Sequence, residues 1–563
     1  MILQAVRTVI SILLLPLAAL AQSEVQFTDI TAASRITFQH AASKTSVKFL
    51  PETMGGGVAL FDYNNDGRLD IFFTNGAKLD EKMTSAQQPD KREAKYWNRL
   101  YQQNADGTFT DVTEKAGVAG TRYDFGAAVA DYDNDGYADL YVTGYGGNTL
   151  YHNNGNGTFT DVTAKAGVAG GGWSSSAGFF DYNNDGRPDL FVCRYLTWSW
   201  EANVWCGKQE PGWRAYCHPD NYKGITSLLF RNNGDGTFTD VSKPSGIASL
   251  EGKALGVAFN DYDHDGWTDV FVANDSIRQY LWHNKGDGTF EDVGLVAGVG
   301  YNEDGRTFAG MGTDFNDYDN DGWPDIVDTA LGNEMYALFR NNGDRTFNYT
   351  TSSAGLGEST LLMSGWGIKF FDYDNDGLKD IFVSQSHVLD TIEKTTPSLK
   401  YLLPPLLLRN DGKRFVNVSA RMGKAFNETY AGRGAAFGDL DNDGDVDIVM
   451  ATLDGRPVLL RNDGGNKQHW LMLSLSGTKS NHDGLGAQVR LISSSGKTQY
   501  QYVSTASSYQ SASDRRVHFG LGAEGMAKTI EIRWPSGIVQ RLADVKADQM
   551  VKVVEAEEQG KGK

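Results

Sequence analysis

Only three of the 563 residues are cysteine, and positive charge is scarce: 52 Lys and Arg stand against 71 Asp and Glu, for a net charge of −19. An acidic chain without a basic patch repels nucleic acid, which excludes a nucleic-acid partner. Beyond the N-terminal segment no apolar run is long enough to cross a membrane. The nine histidines are scattered, with no nucleophile motif beside them. The Gly-rich stretch Asp483-Gly-Leu-Gly486 has no strand-to-helix context, so it reads as a turn and not as a phosphate loop.

What is present begins with a leader. Arg7 precedes an apolar run from Val9 to Leu20, and Ala19-Leu20-Ala21 fits the small-x-small cleavage rule. Residues 1–21 therefore read as a signal peptide; the alternative is an uncleaved anchor, for which the run is short. No Cys follows the cleavage point, which argues against a lipoprotein. The expected location is secreted or periplasmic, where disulfides are permitted. Cys206 and Cys217 flank a short Gly-, Pro- and Trp-containing loop and are expected to pair. Cys193, inside the apolar strand Leu190-Phe191-Val192-Cys193, is expected to be a buried thiol. Hydrophobic content of 40% and aromatic content of 12% support real cores.

A repeat dominates the chain. The pattern D-x-[DN]-x-D-G-x-x-D begins at Asp62, Asp131, Asp181, Asp261, Asp317, Asp372 and Asp439, at spacings of 69, 50, 80, 56, 55 and 67. An apolar segment such as Gly57-Val-Ala-Leu-Phe61 or Gly126-Ala-Ala-Val-Ala130 precedes each loop, and a β-rich run such as Ile71-Phe-Phe-Thr74 follows. A third strand ends in a turn, as in Leu150-Tyr-His-Asn-Asn-Gly-Asn-Gly157, before a fourth, Thr158-Phe-Thr-Asp-Val-Thr163. Short β-rich runs joined by Asn/Asp/Gly turns are hairpins, and four-stranded units at periods near fifty residues are propeller blades. The last unit, ending at Leu459-Leu-Arg-Asn-Asp-Gly464, lacks a fourth strand, while Val25-Gln-Phe-Thr-Asp-Ile-Thr31 is an orphan copy of one. The predicted fold is all-β: a closed, seven-bladed β-propeller over residues 22–465, then a small β-sandwich over 466–555 docked beside the ring, with a disordered tail over 556–563. An open solenoid would leave the orphan strand unexplained.

Hard oxygen ligands on a flexible loop suit calcium. Side chains at positions 1, 3, 5 and 9 and the carbonyl at position 7 form each cage. The loops are Asp62, Asn64, Asp66, Arg68 and Asp70; Asp131, Asp133, Asp135, Tyr137 and Asp139; Asp181, Asn183, Asp185, Arg187 and Asp189; and Asp261, Asp263, Asp265, Trp267 and Asp269. They continue with Asp317, Asp319, Asp321, Trp323 and Asp325; Asp372, Asp374, Asp376, Leu378 and Asp380; and Asp439, Asp441, Asp443, Asp445 and Asp447. Asn64 and Asn183 cost one charge each, so their sites should bind more weakly. Loss of the leader with Arg7 takes the charge to −20, and about seven Ca2+ would bring it to −6. The alternatives are metal-free acidic hairpins held by Asx turns, and magnesium, which demands a stricter octahedron.

The Asp-rich loops followed by R-N-x-G-D-G-T-F-x-D-V resemble FG-GAP or VCBS repeats, as in the integrin α-subunit propeller. The remainder, His469-Trp-Leu-Met-Leu-Ser-Leu-Ser-Gly477, Ser480-Asn-His-Asp-Gly-Leu-Gly-Ala-Gln-Val489, His518-Phe-Gly-Leu-Gly522 and Ile532-Arg-Trp-Pro-Ser-Gly537, resembles the ASPIC/UnbV domain. Together they are similar to the cartilage acidic protein family, with His482 where that family more often carries Arg. The resemblance implies a calcium-binding extracellular module without an established enzymatic activity.

In an antiparallel blade the acidic loops and the Asn-Gly turns share one face. The long insertions Ala77–Asn98, Arg194–Ser227 and His387–Pro404 fall on the other. The middle one holds Trp198, Trp200, Trp205 and Trp213, and blade links add Tyr123, Trp173, Arg306, Trp366, Tyr430 and Arg433. Trp198, Trp200, Trp205, Trp213, Trp173 and Trp366 are candidates for binding an extracellular protein or glycan; the equal alternative is that the loops only cover the central opening. An enzyme acting on polysaccharide, as hydrolase or lyase, would draw on His40, Glu52, His218 and His387. A monomeric binding or adhesion module is the preferred reading.

Overall fold

A computed structural model describes residues 25–557; the signal peptide expected over 1–21, and residues 558–563 of the expected tail, lie outside the described residues. Seven sheets with four antiparallel strands each follow one another; the first, from Val58–Phe61, Asp70–Phe73, Arg99–Gln103 and Phe109–Asp111, is extended by the short strands Ala506–Ser507 and Ser511–Ala512. The innermost strands pack side by side in chain order, and the seventh returns to the first. Gln26–Asp29 is the fourth strand of the seventh sheet, pairing antiparallel with Val458–Asp463, Phe27 opposite Asn462. Chain start and propeller end thus share one blade, and the ring has no open end. No helix among the described residues is long and apolar enough to cross a membrane.

Burial explains why the strands read differently in sequence. Inner strands such as Asp124–Ala130 are buried at every position, flanked by neighbouring blades on both faces, so they are apolar throughout. Outer strands such as Phe109–Asp111 bury only the leading Phe. Five residues before each loop's first Asp, six blades carry glycine: Gly57, Gly126, Gly256, Gly312, Gly367 and Gly434; the third carries Ser176. A Cβ on Gly312 would sit 1.8 Å from the Trp366 carbonyl oxygen, and one on Gly57 2.4 Å from that of Gln510. These positions are bare because adjacent backbones close on one another there.

Two sheets form the C-terminal domain. One contains Val517–Gly522, His469–Ser476 and Gln549–Val554; the other contains Thr498–Tyr502, Gln488–Ser493, Met526–Arg533 and Val539–Lys546. Leu471, Leu473, Val489, Phe519, Ile530 and Trp534 fill the space between, in a core continuous with that of blades two and three. The domain is not beside the ring, which corrects the sequence reading. It sits on the acidic-loop face and sends residues 503–514 into the central opening. There Ala127 N donates to Gln510 O (3.1 Å), Thr313 N to Ser508 O (3.1 Å), Gln510 N to Ser176 Oγ (3.0 Å) and Asp514 N to Phe437 O (3.0 Å). Ala512 pairs in parallel with Ala59. At the tip, Tyr509 Oη donates to Met54 O (2.7 Å), and its ring meets the Trp366 ring edge-on at 4.8 Å. The segment is a plug that spends its polar groups on the inner strands of most blades.

Candidate functional site

Each acidic loop is built by its own carboxylates. Asp131 Oδ1 accepts from Asp135 N (2.9 Å) and Oδ2 from Gly136 N (2.8 Å), an arrangement matched in the first loop by Asp62 with Asp66 N and Gly67 N. Position 6 is glycine with φ between 81° and 97°, and position 4 is also left-handed, with φ between 54° and 61°. The last Asp of each loop is buried and braces the hairpin: Asp139 accepts from Tyr132 N (3.2 Å) and Asn153 N (2.7 Å).

The donor set fits a hard cation. Oxygens of Asp131, Asp133 and Asp135 lie within 4.8 Å of one another, as do those of Asp261, Asp263 and Asp265. Asp317 Oδ1 and Asp374 Oδ1 are buried with no hydrogen-bond partner. Burial pushes the carboxyl pKa of Asp139 and Asp269 to about 7, and that of Asp70 to about 8. Burial disfavours the ionised form of such carboxylates, and a nearby cation favours it. Part of the compensation is internal: Arg340 Nε lies 2.6 Å from Asp319, Arg409 Nε 3.0 Å from Asp374, and His152 Nδ1 3.3 Å from Asp133 and Asp139. Arg68 and Arg187, at position 7 of the two Asn-bearing loops, turn back onto Asp66 and Asp185. Calcium bound there would supply fixed positive charge and hold each loop; the rest of the cross-linking is done by the chain itself.

Two hydrogen-bonded belts join these loops around the ring. In the first, the position-4 Asn donates to the position-6 carbonyl of the next loop: Asn65 to Gly136, Asn134 to Gly186, Asn184 to Gly266, Asn320 to Gly377, Asn375 to Gly444 and Asn442 to Gly67, at 2.7–3.4 Å. The fourth loop carries His264 instead, stacked on Trp323 of the next loop at 4.2 Å. In the second belt, an Asn ending each third strand donates to the carbonyl after the first Asp of the preceding loop. Asn153 reaches Tyr63 O (2.8 Å), Asn284 reaches Tyr182 O (2.7 Å) and Asn462 reaches Tyr373 O (2.8 Å), with Gln103 to Leu440 O (2.8 Å) closing the circle. Sequence reasoning missed both belts, although the recurring Asn at two fixed places in the repeat was the available signal.

The same loops seat the C-terminal domain. His482 Nδ1 lies 2.9 Å from Asp131 Oδ2, and Asp483 accepts from Asp131 N (2.7 Å). Gln488 Nε2 donates to Asp261 (3.0 Å), Gly522 N to Asn375 O (2.8 Å) and Arg516 Nη1 to Asn442 (2.7 Å). The loops are therefore a covered structural platform over much of their face.

On the opposite face the insertions fold inward. Trp173 and Trp366 are 1% exposed, Trp198 7% and Trp200 4%, which corrects their candidacy as ligand-binding residues. They pack with Phe49, Leu50, Met54, Tyr123 and Tyr509 into one cluster that caps the far end of the plug. Trp198 and Trp200 meet edge-on at 4.9 Å, and Arg433, buried, lies 4.0 Å over Trp366. Large flat rings are what close a wide opening. Arg306 stays exposed and Tyr430 half-buried. Only Trp205, 46% exposed, and the half-buried Trp213 stay accessible among the six tryptophans. They lie on the hairpin of Cys206–Gly207 with Arg214–Ala215, which the Cys206–Cys217 disulfide closes; Cys193 is a buried thiol.

The acid–base candidates do not converge on an open site. Burial holds His40 and His387 down to about 4. Glu52 is buried, accepts from Tyr216 Oη (3.0 Å) and Phe49 N (3.2 Å), and is pushed up by burial to about 7. Only His218 reaches the surface, its side chain 57% exposed. Glu52 gives a pH prediction. Its folded pKa lies above the unfolded value, so its stabilisation is full below about pH 4.5 and is lost as pH rises through about 7. Relative to Glu52→Gln, the wild type is expected to lose up to about 3 kcal/mol between pH 5 and 8, read from urea midpoints; parallel profiles would contradict this.

Comparison with known proteins adds the following. Residues 62–142, 131–192, 221–272, 261–327 and 317–383 match the FG-GAP-like repeat, and residues 477–560 match ASPIC and UnbV. The chain is 26% identical to cartilage acidic protein 1 of Homo sapiens over 306 residues, 53% of this chain and 43% of that protein. To the Mus musculus protein it is 25% identical over 325 residues, 56% and 47% of the two chains. It thus spans less than half the length of these curated relatives. Among solved structures it is similar to an Agrocybe aegerita lectin that recognises non-reducing terminal N-acetylglucosamine, at TM-score 0.39 and 18% identity over 72% of this chain and 87% of that one. It is also similar to a Bacillus licheniformis rhamnogalacturonan lyase, at TM-score 0.37 and 13% identity over 77% and 75%.

Proposed function

We propose that this chain, which belongs to the family of FG-GAP-like repeat proteins carrying an ASPIC and UnbV domain, is an exported, calcium-loaded binding module. Its partner is an extracellular protein or glycan that docks on the insertion face. The disulfide supports an oxidising compartment, outside the cell or in a periplasm.

One observation carries the placement of the site. The disulfide-closed hairpin holds Trp205 at the surface beside Val204, 48% exposed, with Arg214 4.6 Å over the Trp205 ring and Lys208 4.2 Å over Trp213. Rigid aromatics flanked by cations are the composition in which binding energy concentrates. The hydrolase or lyase alternative needs an accessible acid–base pair, and burial of His40, Glu52 and His387 disfavours it.

A glycan array and a pull-down of exported proteins, each with wild type and with Trp205→Ala/Trp213→Ala, test the reading. The double variant is expected to lose at least about tenfold in affinity, as hot-spot aromatics do, with its melting temperature unchanged. Equal retention by both proteins would move the site elsewhere. Cleavage of a polysaccharide, abolished by His218→Ala, would replace the reading with the enzymatic one.

A further inference from the structure

Between the C-terminal domain and blades four and five lies a cleft of about 380 Å3, on the face opposite the insertions. Strand register explains one wall. Gln488 and Arg490 share a face of their strand and stand opposite Tyr502 and Tyr500 on one neighbour and Arg533 and Glu531 on the other, so the two-residue period aims all six into the cleft. The facing wall comes from the loops, with His264, Asn316, Asp321 and Trp323. The cleft opens where the belt changes its residue: His264 takes the place of Asn and stacks on Trp323 of the next loop.

Charge sets this place apart on a protein of net charge −19. Two of the three acids lining it are matched: Glu531 pairs with Arg541 at 2.7 Å and Asp321 with Arg340 at 2.5 Å, while the third, Asp317, is buried in its own loop and feels the charge of Lys379. Arg490 and Arg533 are exposed, and among the described residues neither forms an ion pair. Arg490 only approaches the Tyr500 ring, at 5.9 Å. Two uncompensated guanidinium forks therefore face a half-enclosed space with aromatic walls.

We infer that this cleft binds an acidic sugar, a short oligosaccharide bearing carboxylates. Guanidinium groups take carboxylates bidentately, which a neutral sugar cannot exploit. Tyr500 offers flat apolar surface to the C–H side of a pyranose ring, and Gln488, whose Nε2 is held by Asp261, leaves its Oε1 for a sugar hydroxyl. The volume lies within the range of small-ligand pockets. This site is separate from the insertion-face hairpin, so either can fail without the other.

Calorimetric titration of the mature protein at fixed free calcium tests it, with uronate trimers (galacturonate, glucuronate, mannuronate), the neutral galactose trimer and inorganic sulfate as probes. A uronate trimer is expected to bind, with the neutral trimer and sulfate at least about tenfold weaker. Arg490→Gln/Arg533→Gln should weaken uronate binding by about tenfold or more without moving the melting temperature, Arg490→Lys/Arg533→Lys should fall between, and Trp205→Ala should leave it unchanged. No uronate bound, equal binding of neutral trimer or sulfate, or wild-type affinity in the double Gln variant would each overturn the proposal.

Discussion

Stripping calcium with a chelator is expected to lower the melting temperature of the protein by about 15–20 °C. A site held at about a hundredfold its Kd contributes about 2.7 kcal/mol of stability, so seven sites contribute about 19 kcal/mol. Unfolding entropy of about 2 cal/mol/K per residue gives about 1.1 kcal/mol/K for a chain of this size, which sets the shift. The physical source is local. Every loop gathers three or four carboxylates, with Asp70 and Asp139 raised in pKa by burial, so the metal-free ring carries repulsion that its own Arg and His side chains only partly offset. Because the belts run through the loops, loosening one frees its neighbours, and the C-terminal domain loses its seat. Scanning fluorimetry with chelator, then with calcium or magnesium restored, reads the effect. Calcium should recover the full midpoint and magnesium only part of it; an unchanged midpoint on chelation would sink the structural role.

The other large effect is expected from the plug. Tyr509→Ala removes a fully buried ring from the junction of the plug and the tryptophan cap, at a cost of about 4 kcal/mol. Tyr509→Phe keeps the packing and loses only the bond to Met54 O, at about 1 kcal/mol. Replacing residues 505–513 by a Gly-Ser linker uncovers backbone donors of several blades at once and should leave no folded propeller at 37 °C. Denaturant titration followed by tryptophan fluorescence is a direct reading, because Trp366 packs on Tyr509. Wild-type stability in the linker variant would mean that the ring supports itself and the plug only rests in it.

The parts legible in the sequence were those with a local period. Seven repeats of one acidic loop, alternating with β-rich runs, are enough to call for four-stranded blades, and the unpaired fourth strand at the N-terminus points to the blade that lacks one. The plug has no such signature. Thr505-Ala-Ser-Ser-Tyr-Gln-Ser-Ala512 is short, small and polar because it meets backbone at glycine positions, and its partners lie hundreds of residues away. The glycines themselves were visible at a constant offset from each loop but read as part of an apolar strand. Trp173, Trp198, Trp200 and Trp366 show the opposite difficulty. A cluster of tryptophans on long loops has the same sequence whether the loops splay outward to bind or fold inward to close a hole. The depth of the opening decides it, and that depth is a property of the whole ring.

If the acidic loops are metal-bound girders, counting the ions is the most direct test. Elemental analysis of the purified protein, exchanged into buffer with micromolar free calcium, is expected to find about seven calcium ions per chain. Chains that retain no calcium at saturation, or that hold another metal in its place, would contradict it.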